Sequence, residues 1–250
     1  MSGLDPLWLV AAGFGGGVAG SVAGLASLVS YPALLAVGLP PVAANVSNTV
    51  ALIASSAGSV LGSRPELRGQ TARVKRLGIV ALVGGTGGGV LLLATPSGSF
   101  AYVVPWLIGL ASVGVLVRRR AVPGAPVTTH EPGRALPVGV FLVSVYAGYF
   151  GAAAGVLLLG FLLYSTGEVL ARSNAMKNAL LGIANGVAAL AFAAFGPVHW
   201  LDVLPLAAGF LVGGRLGPVI VRRAPATPLR VLIACAGLGL AVRLGLDAYH

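Results

Sequence analysis

The sequence predicts an all-α polytopic membrane protein with two inverted repeats, each a broken, re-entrant helical hairpin followed by three transmembrane helices. Three observations lead to this fold class: the composition, the length of the apolar runs and the placement of the basic residues. Of the 250 residues, 57% are hydrophobic and only 9% are charged, whereas a soluble domain carries about 25% charged residues. Such a chain cannot cover itself with a wetted surface, so we expect the lipid bilayer to surround it.

Apolar runs recur from one end of the chain to the other. A helix needs about 20 apolar residues to cross a hydrocarbon core. The runs that approach or exceed this length are 7–38, 41–62, 78–95, 99–117, 136–166, 173–195, 201–221 and 228–246. Two of them, the first and the fifth, are clearly longer than one crossing requires.

Basic residues concentrate in three segments that we predict as loops, 63–76, 118–134 and 221–230, whereas the turns 94–99 and 195–202 carry no Lys or Arg. Positive residues favour the cytoplasmic side of a membrane protein, so we expect the three basic segments inside and the two turns outside. The net charge of +10 is then explained by topology, and no nucleic-acid partner is predicted.

These anchors require run 136–166 to begin and end inside. Its length is too great for one span and small for two, so we predict a helical hairpin with a bend near residues 148–155. Run 7–38 has nearly the same length and a comparable bend near residues 24–27, so we predict the same form, beginning and ending outside. Both termini of this multi-pass protein of the cytoplasmic membrane are therefore expected outside.

Each half of the chain thus consists of a hairpin and three spans, and the halves begin on opposite sides. Aligning the halves so that Asn45 falls on Asn174 also pairs Gly38 with Gly167. Many secondary transporters have this inverted-repeat plan, with the substrate site near the midplane at interrupted helices. The predicted organisation is a first repeat (1–117), a basic cytoplasmic linker (118–135) and a second repeat (136–250).

Two polar clusters, 44–49 and 173–178, occupy equivalent positions just after the hairpins. Polar groups in a membrane usually face a bundle interior or an aqueous cavity, so the clusters are candidates for one shared binding site. Their use as hydrogen-bonded links between helices is the alternative. The candidate substrate-binding side chains are Asn45, Ser47, Asn48, Thr49, Asn174, Lys177 and Asn178.

Lys177 is a rare cation within an apolar run and is the candidate anion ligand; the alternative is a lysine that extends to the membrane surface. Gly24, Gly151 and Gly155 lie at the predicted bends, where N–H groups of half-helix N-termini can bind an anion. A transporter predicts a cavity that touches Asn48 and Lys177, whereas a scaffold predicts that both are buried without one.

The six acidic residues all fall in loops or at the ends of runs, and the three histidines are peripheral. No constellation suits metal or hydrolytic chemistry, since such sites need clusters of His, Cys or acidic residues. The single Cys235 allows no disulfide framework. We therefore predict neither an enzyme nor a cofactor. The oligomeric state is left open, a homodimer included.

The motif "GLASLVSYPALLAVGLPPVAANVSNTV" (24–50) resembles the first-repeat motif of the TauE/SafE sulfite exporter family. "ARSNAMKNALLGIANGVAALAF" (171–192) resembles its second-repeat motif, and "GFLVGGRLG" (209–217) its glycine-rich penultimate span. The sequence departs from the pattern at the thinned first bend and at Thr49, where the family carries a lysine. The resemblance implies transport of small sulfur-containing anions, such as sulfite or organosulfonates, usually outward.

The leading hypothesis is a secondary transporter that exports a small anionic substrate, driven by membrane potential alone. An anion channel and a non-transporting scaffold remain the alternatives.

Overall fold

A computed structural model describes residues 5–117, 135–223 and 227–249. Within these ranges the chain is helical and contains no strand. Most of the predicted linker 118–135 and residues 224–226 of the third basic segment lie outside the described residues. The helices are α1 (Asp5–Ala23), α2 (Ala26–Ala36), α3 (Pro41–Gly62), α4 (Arg64–Leu67), α5 (Thr71–Ala94), α6 (Ser97–Val117), α7 (Ala135–Tyr149), α8 (Ala154–Thr166), α9 (Leu170–Phe195), α10 (Trp200–Arg223) and α11 (Thr227–Tyr249).

The two long apolar runs are broken helices, as the sequence predicts. The first bend has Gly24 at φ +77°, and the second has Gly151 at φ +73° and Ala153 at φ +56°. Glycine adopts this left-handed conformation without a steric penalty, whereas alanine pays one. The two helices of the first broken run fold back on each other, since a Cβ placed on Gly20 of α1 would meet Ala26 at the start of α2.

The basic segment 63–76 is not a loop throughout, and this part of the prediction is wrong. α5 begins at Thr71, so Arg73, Lys75 and Arg76 lie on its first two turns. Lysine and arginine are good helix formers, and their long stems can run along apolar surface while the charge reaches water. The first residue of the apolar run 78–95 therefore does not mark the start of its helix.

Four described helices are long and apolar enough to cross a membrane: α1, α5, α9 and residues 200–220 of α10. Helix α3 is of similar length but carries several Asn, Ser and Thr side chains, which lower its mean hydropathy. The all-helical membrane fold is confirmed by these helices together with the shorter apolar ones.

Helix boundaries repeat when the two halves are aligned through Asn45 and Asn174. The same offset carries α5 onto residues 200–223, the bounds of α10. The left-handed backbone positions repeat too, since Gly24 matches Ala153 and Gly38 matches Gly167. Apart from the short α4 of the first half, the two halves of the chain therefore contain the same succession of helices, hairpin included.

The repeats pack reciprocally: α1 and α3 pack on α10, and α7 and α9 pack on α5. Equivalent helices α3 and α9 run in opposite directions where they touch. A Cβ on Gly182 of α9 would lie 3.0 Å from Ser56 Cβ, whereas a Cβ on Gly196, the residue after α9, would lie 3.0 Å from Val46, earlier in α3. This geometry agrees with inverted repeats, whose orientation in the membrane stays a prediction.

Candidate functional site

A cavity lies where the two bends meet α3 and α9. The volume open to the centre of a water molecule is about 50 Å³, and one water needs roughly 10–15 Å³ on this measure. The cavity therefore has room for a small anion or a few water molecules. Its wall consists mostly of small and polar residues, namely Gly20, Ser21, Gly24, Ala26, Ser27, Leu52, Ser55, Ser56, Ser59, Gly151, Ala154, Gly155, Asn178, Leu181 and Asn185.

The two bends touch each other through their backbones at this cavity. A Cβ on Gly24 would collide with the backbone of Gly155, and a Cβ on Gly155 would collide with that of Gly24. Glycine is required at both positions because no side chain fits between the two backbone segments. The contact brings the N-termini of α2 and α8 together, and each helix start carries N–H groups without intrahelical acceptors.

Side chains of the opposite repeat cap the C-terminal ends of α1 and α7. Asn174 Nδ2 donates to the Ser21 carbonyl at 2.9 Å. Lys177 Nζ donates to the carbonyls of Gly20 at 2.9 Å and Ser21 at 3.3 Å. In the other repeat, Asn45 Nδ2 donates to the carbonyl of Tyr149, the last residue of α7, at 2.9 Å.

This arrangement gives the cavity the electrostatics of an anion site. The positive N-terminal ends of α2 and α8 border it, whereas donors engage the carbonyls at the negative ends of α1 and α7. Helix N-termini attract anions through their N–H groups and dipole. None of the described residues that form the wall carries a carboxylate, so no fixed negative charge on the wall opposes an anion.

Two wall residues offer hydrogen-bonding atoms that the described part of the chain does not use. Asn178 Nδ2 and Ser21 Oγ are buried and have no hydrogen-bond partner among the described residues. Leaving a buried donor unsatisfied costs about 1–3 kcal/mol. A ligand or water in the cavity is the natural partner for both groups.

Four of the ten predicted site residues line the cavity: Gly24, Gly151, Gly155 and Asn178. The other six do not line it. Five of them bond to other parts of the fold, which is the alternative that the sequence left open, whereas Thr49 bonds within α3.

The first polar cluster makes these links through α3. Asn48 accepts from Ser30 Oγ at 2.6 Å and donates to Ser27 Oγ at 3.2 Å. Ser47 Oγ accepts from the backbone N–H of His199 at 2.9 Å, and Thr49 Oγ1 donates to the Asn45 carbonyl at 2.9 Å. Only one of these partners, Ser27, belongs to the wall.

Lys177 is fully buried, so the alternative that it extends to the membrane surface is wrong. It does not line the cavity either; the two residues whose carbonyls it binds, Gly20 and Ser21, do. A cavity is thus present, but Asn48 and Lys177 do not line it, so the expectation that it touches both is wrong; their hydrogen-bond partners Ser27, Gly20 and Ser21 line it instead. A direct contact between Lys177 and an anion stays a prediction.

Comparison with known proteins identifies the fold and its broad role. The family model described as sulfite exporter TauE/SafE matches residues 9–244. The chain belongs to this family. A protein of a Sinorhizobium species, named probable membrane transporter protein ORF9, is 25% identical over 251 residues, which cover 97% of this chain and 93% of that protein. No solved structure matches the chain. This TauE/SafE protein is therefore a membrane transporter, and its family points away from an enzyme.

Sequence reasoning missed a serine and asparagine face of the TauE/SafE cavity. On α3 the missed wall residues are Ser55, Ser56 and Ser59, and on α9 the missed one is Asn185. The signal was present, because Ser55 and Ser59 are spaced by about one helical turn, as are Ser56 and Ser59. This spacing alone does not indicate a binding site, because serine is common in membrane helices as a packing residue.

Glu168 links α9 to α5 and is not a wall residue. Its carboxylate lies 3.4 Å from Arg73 Nη1 and 3.5 Å from Arg172 Nε. Gln70 Nε2 reaches the Arg172 carbonyl at 3.4 Å in the same region. The three charged side chains are partly exposed, and such ion pairs contribute little stability. The cluster therefore connects the starts of two helices at some remove from the cavity.

Proposed function

We propose that this protein exports a small sulfur-containing anion, such as sulfite or a compact sulfonate, across the cytoplasmic membrane. The family supports a transporter, and the cavity supports an anion as its cargo. The observation that carries the proposal is the meeting of two half-helix N-termini at a cavity whose described wall residues include no carboxylate.

Neutral donors would bind the anion. Asn178 and Asn185 supply side-chain amides, Ser21 and Ser56 supply hydroxyls, and Gly155 stands in the first turn of α8, where backbone N–H groups are available. Hydrogen bonds to an ionised acceptor are about twice as strong as neutral ones. Several such donors can replace the water that a small oxyanion loses.

Outward transport is supported by the position of the cavity along α3 and α9. Its polar wall is formed by Ser55, Ser56 and Ser59 near the C-terminal end of α3 and by Asn178 near the N-terminal end of α9. Both ends adjoin segments that the positive-inside rule assigns to the cytoplasm. An exporter has to load its substrate from that side.

The proposed membrane topology follows the two repeats. We propose inverted orientations for repeats 1–117 and 136–250, with both termini outside and the linker 118–135 inside. The antiparallel contact of α3 and α9 supports this orientation.

The test is sulfite flux in proteoliposomes that contain the purified protein. Asn178→Leu and Ser21→Ala remove the two wall groups that have no hydrogen-bond partner among the described residues, so both should raise the substrate concentration for half-maximal flux. Ser144→Ala is the matched control, because Ser144 Oγ is also buried without a partner among the described residues but does not line the cavity.

Saturable sulfite flux that weakens in both cavity variants and persists in the control supports the proposal. Flux that rises linearly with concentration would indicate a channel. Absence of flux for sulfite and sulfonates in folded protein would contradict an anion substrate.

A further inference from the structure

We propose that Lys177 is a positioning residue that sets the affinity of the cavity for anions through its charge, without touching the anion. This inference rests on the proposed function and assigns that site a source of positive potential. The sequence led us to expect a direct contact between Lys177 and the anion. We infer instead that the charge acts on the anion across one layer of backbone.

The geometry places the ammonium group directly behind the cavity wall. Lys177 is fully buried, and its Nζ lies 2.9 Å from the Gly20 carbonyl and 3.3 Å from that of Ser21. Both of these residues are part of the wall. The lysine is therefore separated from the cavity by the last turn of α1.

The surroundings make this charge effective. The described wall residues are neutral, and Lys177 is the one buried lysine or arginine among the residues whose burial the structure describes. Buried charges are screened much less than exposed ones. The carbonyls at the end of α1 would present negative potential to the cavity, and Lys177 reverses it.

The charge is present on one side of the pseudo-symmetric site only. In the alignment of the two repeats, Lys177 corresponds to Asn48, whose amide binds Ser27 and Ser30. The end of α7 is capped by the neutral amide of Asn45. Among the described residues, Lys177 therefore adds a full charge to the helix N-termini and neutral donors of the site, and the equivalent position of the other repeat has no cation to replace it.

A charge that acts through space has a measurable signature, because its energy is proportional to the charge of the ligand. Sulfate and methanesulfonate have similar tetrahedral shapes but carry two and one negative charges. If removal of the lysine charge weakens methanesulfonate binding about tenfold, it should weaken sulfate binding about a hundredfold. Loss of a hydrogen bond or a change in shape would weaken both about equally.

The experiment measures binding of both anions to the purified, reconstituted protein by isothermal titration calorimetry. Lys177→Gln removes the charge but keeps a donor for the α1 carbonyls, and Lys177→Arg keeps the charge. We expect the factor lost for sulfate in Lys177→Gln to be about the square of the factor lost for methanesulfonate. Lys177→Arg should restore the wild-type ratio of the two affinities.

Asn174→Ala is the matched control, because it removes a neutral cap from the Ser21 carbonyl and should weaken both anions by the same factor. If Lys177→Gln does not fold, the isosteric Asn174→Asp places a carboxylate one helical turn from Lys177. It should show the same square relation.

Equal factors for the two anions in the charge-removing variant would overturn this inference and leave the proposed function intact. Failure of the folded wild-type protein to bind either anion would also overturn this inference, whereas the proposed function fails only if neither sulfite nor sulfonates show flux.

Discussion

Asn45 of α3 donates a 2.9 Å hydrogen bond to the carbonyl of Tyr149, 104 residues further along the chain. This bond caps the C-terminal end of α7 from the opposite repeat, as Asn174 caps α1. Asn45→Ala should lower the free energy of unfolding by about 1–3 kcal/mol, because the carbonyl of the half-buried Tyr149 loses its donor. Thermal unfolding of the solubilised protein measures the effect.

The control for that substitution is Thr95→Ala, which removes an exposed bond from Thr95 Oγ1 to the Leu91 carbonyl within one helix. An equal loss in both variants would show that Asn45 does not link the repeats.

The contact between the two bends predicts a large cost for one added methyl group. In Gly155→Ala the new Cβ collides with the Gly24 backbone, so we expect a loss of about 1–3 kcal/mol or more and no flux. Gly87→Ala is the matched control, because a Cβ there meets no atom within 4 Å and alanine favours the helix by about 1 kcal/mol. If Gly155→Ala behaves like Gly87→Ala, the bends do not touch.

The size of the cavity predicts the range of substrates. Leu52 and Leu181, equivalent in the two repeats, are the bulky side chains of its wall. Leu181→Ala should enlarge it and improve inhibition of sulfite flux by larger organosulfonates such as taurine. Competition assays in proteoliposomes measure this inhibition. The control is Leu190→Ala, which should not alter inhibition, because Leu190 lies on the outer face of the same helix and is 70% exposed. Unaltered selectivity in Leu181→Ala would place the substrate elsewhere.

Cysteine labelling tests the topology, after the exposed Cys235 has been replaced by Ser. Cysteines at the exposed positions Ser97 and Pro197 should react with an impermeant reagent from outside. Those at exposed Arg68 and Val169 should react only after the membrane is opened. Outside labelling of Val169→Cys would mean that α7 and α8 form a single crossing rather than a hairpin.

The absence of acidic groups from the described cavity wall predicts that membrane potential drives export. Each exported negative charge gains about 2.3 kcal/mol per 100 mV, roughly a 50-fold gradient. In liposomes loaded with sulfite, an interior-negative potential should accelerate efflux, and a pH gradient at zero potential should do little. Efflux that follows the pH gradient and is lost in Glu168→Gln would show proton coupling instead.

Much of the fold could be predicted because composition and charge are local signals. The bounds of α3 coincide with the apolar run 41–62, and both bends lie where glycine and alanine interrupt the long runs. The start of α5 could not be located in this way, since its first turns are basic rather than apolar.

The site was only partly predictable. Which face of a helix points to the cavity, and which side chains cover that face, depend on helices far away in sequence. Asn48 and Ser55 are spaced by about two turns and share a face of α3. Asn48 is covered by Ser27 and Ser30 of α2, whereas Ser55 reaches the cavity. The same holds on α9, where Asn174 meets α1 and Asn178, one turn later, lines the cavity.

The reciprocal packing of α1 on α10 and of α7 on α5 has a consequence for biosynthesis. When α1 leaves the ribosome, the whole segment 24–199 still separates it from its main partner. A newly inserted α1 must therefore wait in the lipid with its glycine-rich face uncovered until nearly the whole protein has been translated. Fragments 1–117 and 135–250 expressed together should assemble, whereas either fragment alone should be degraded by membrane quality control.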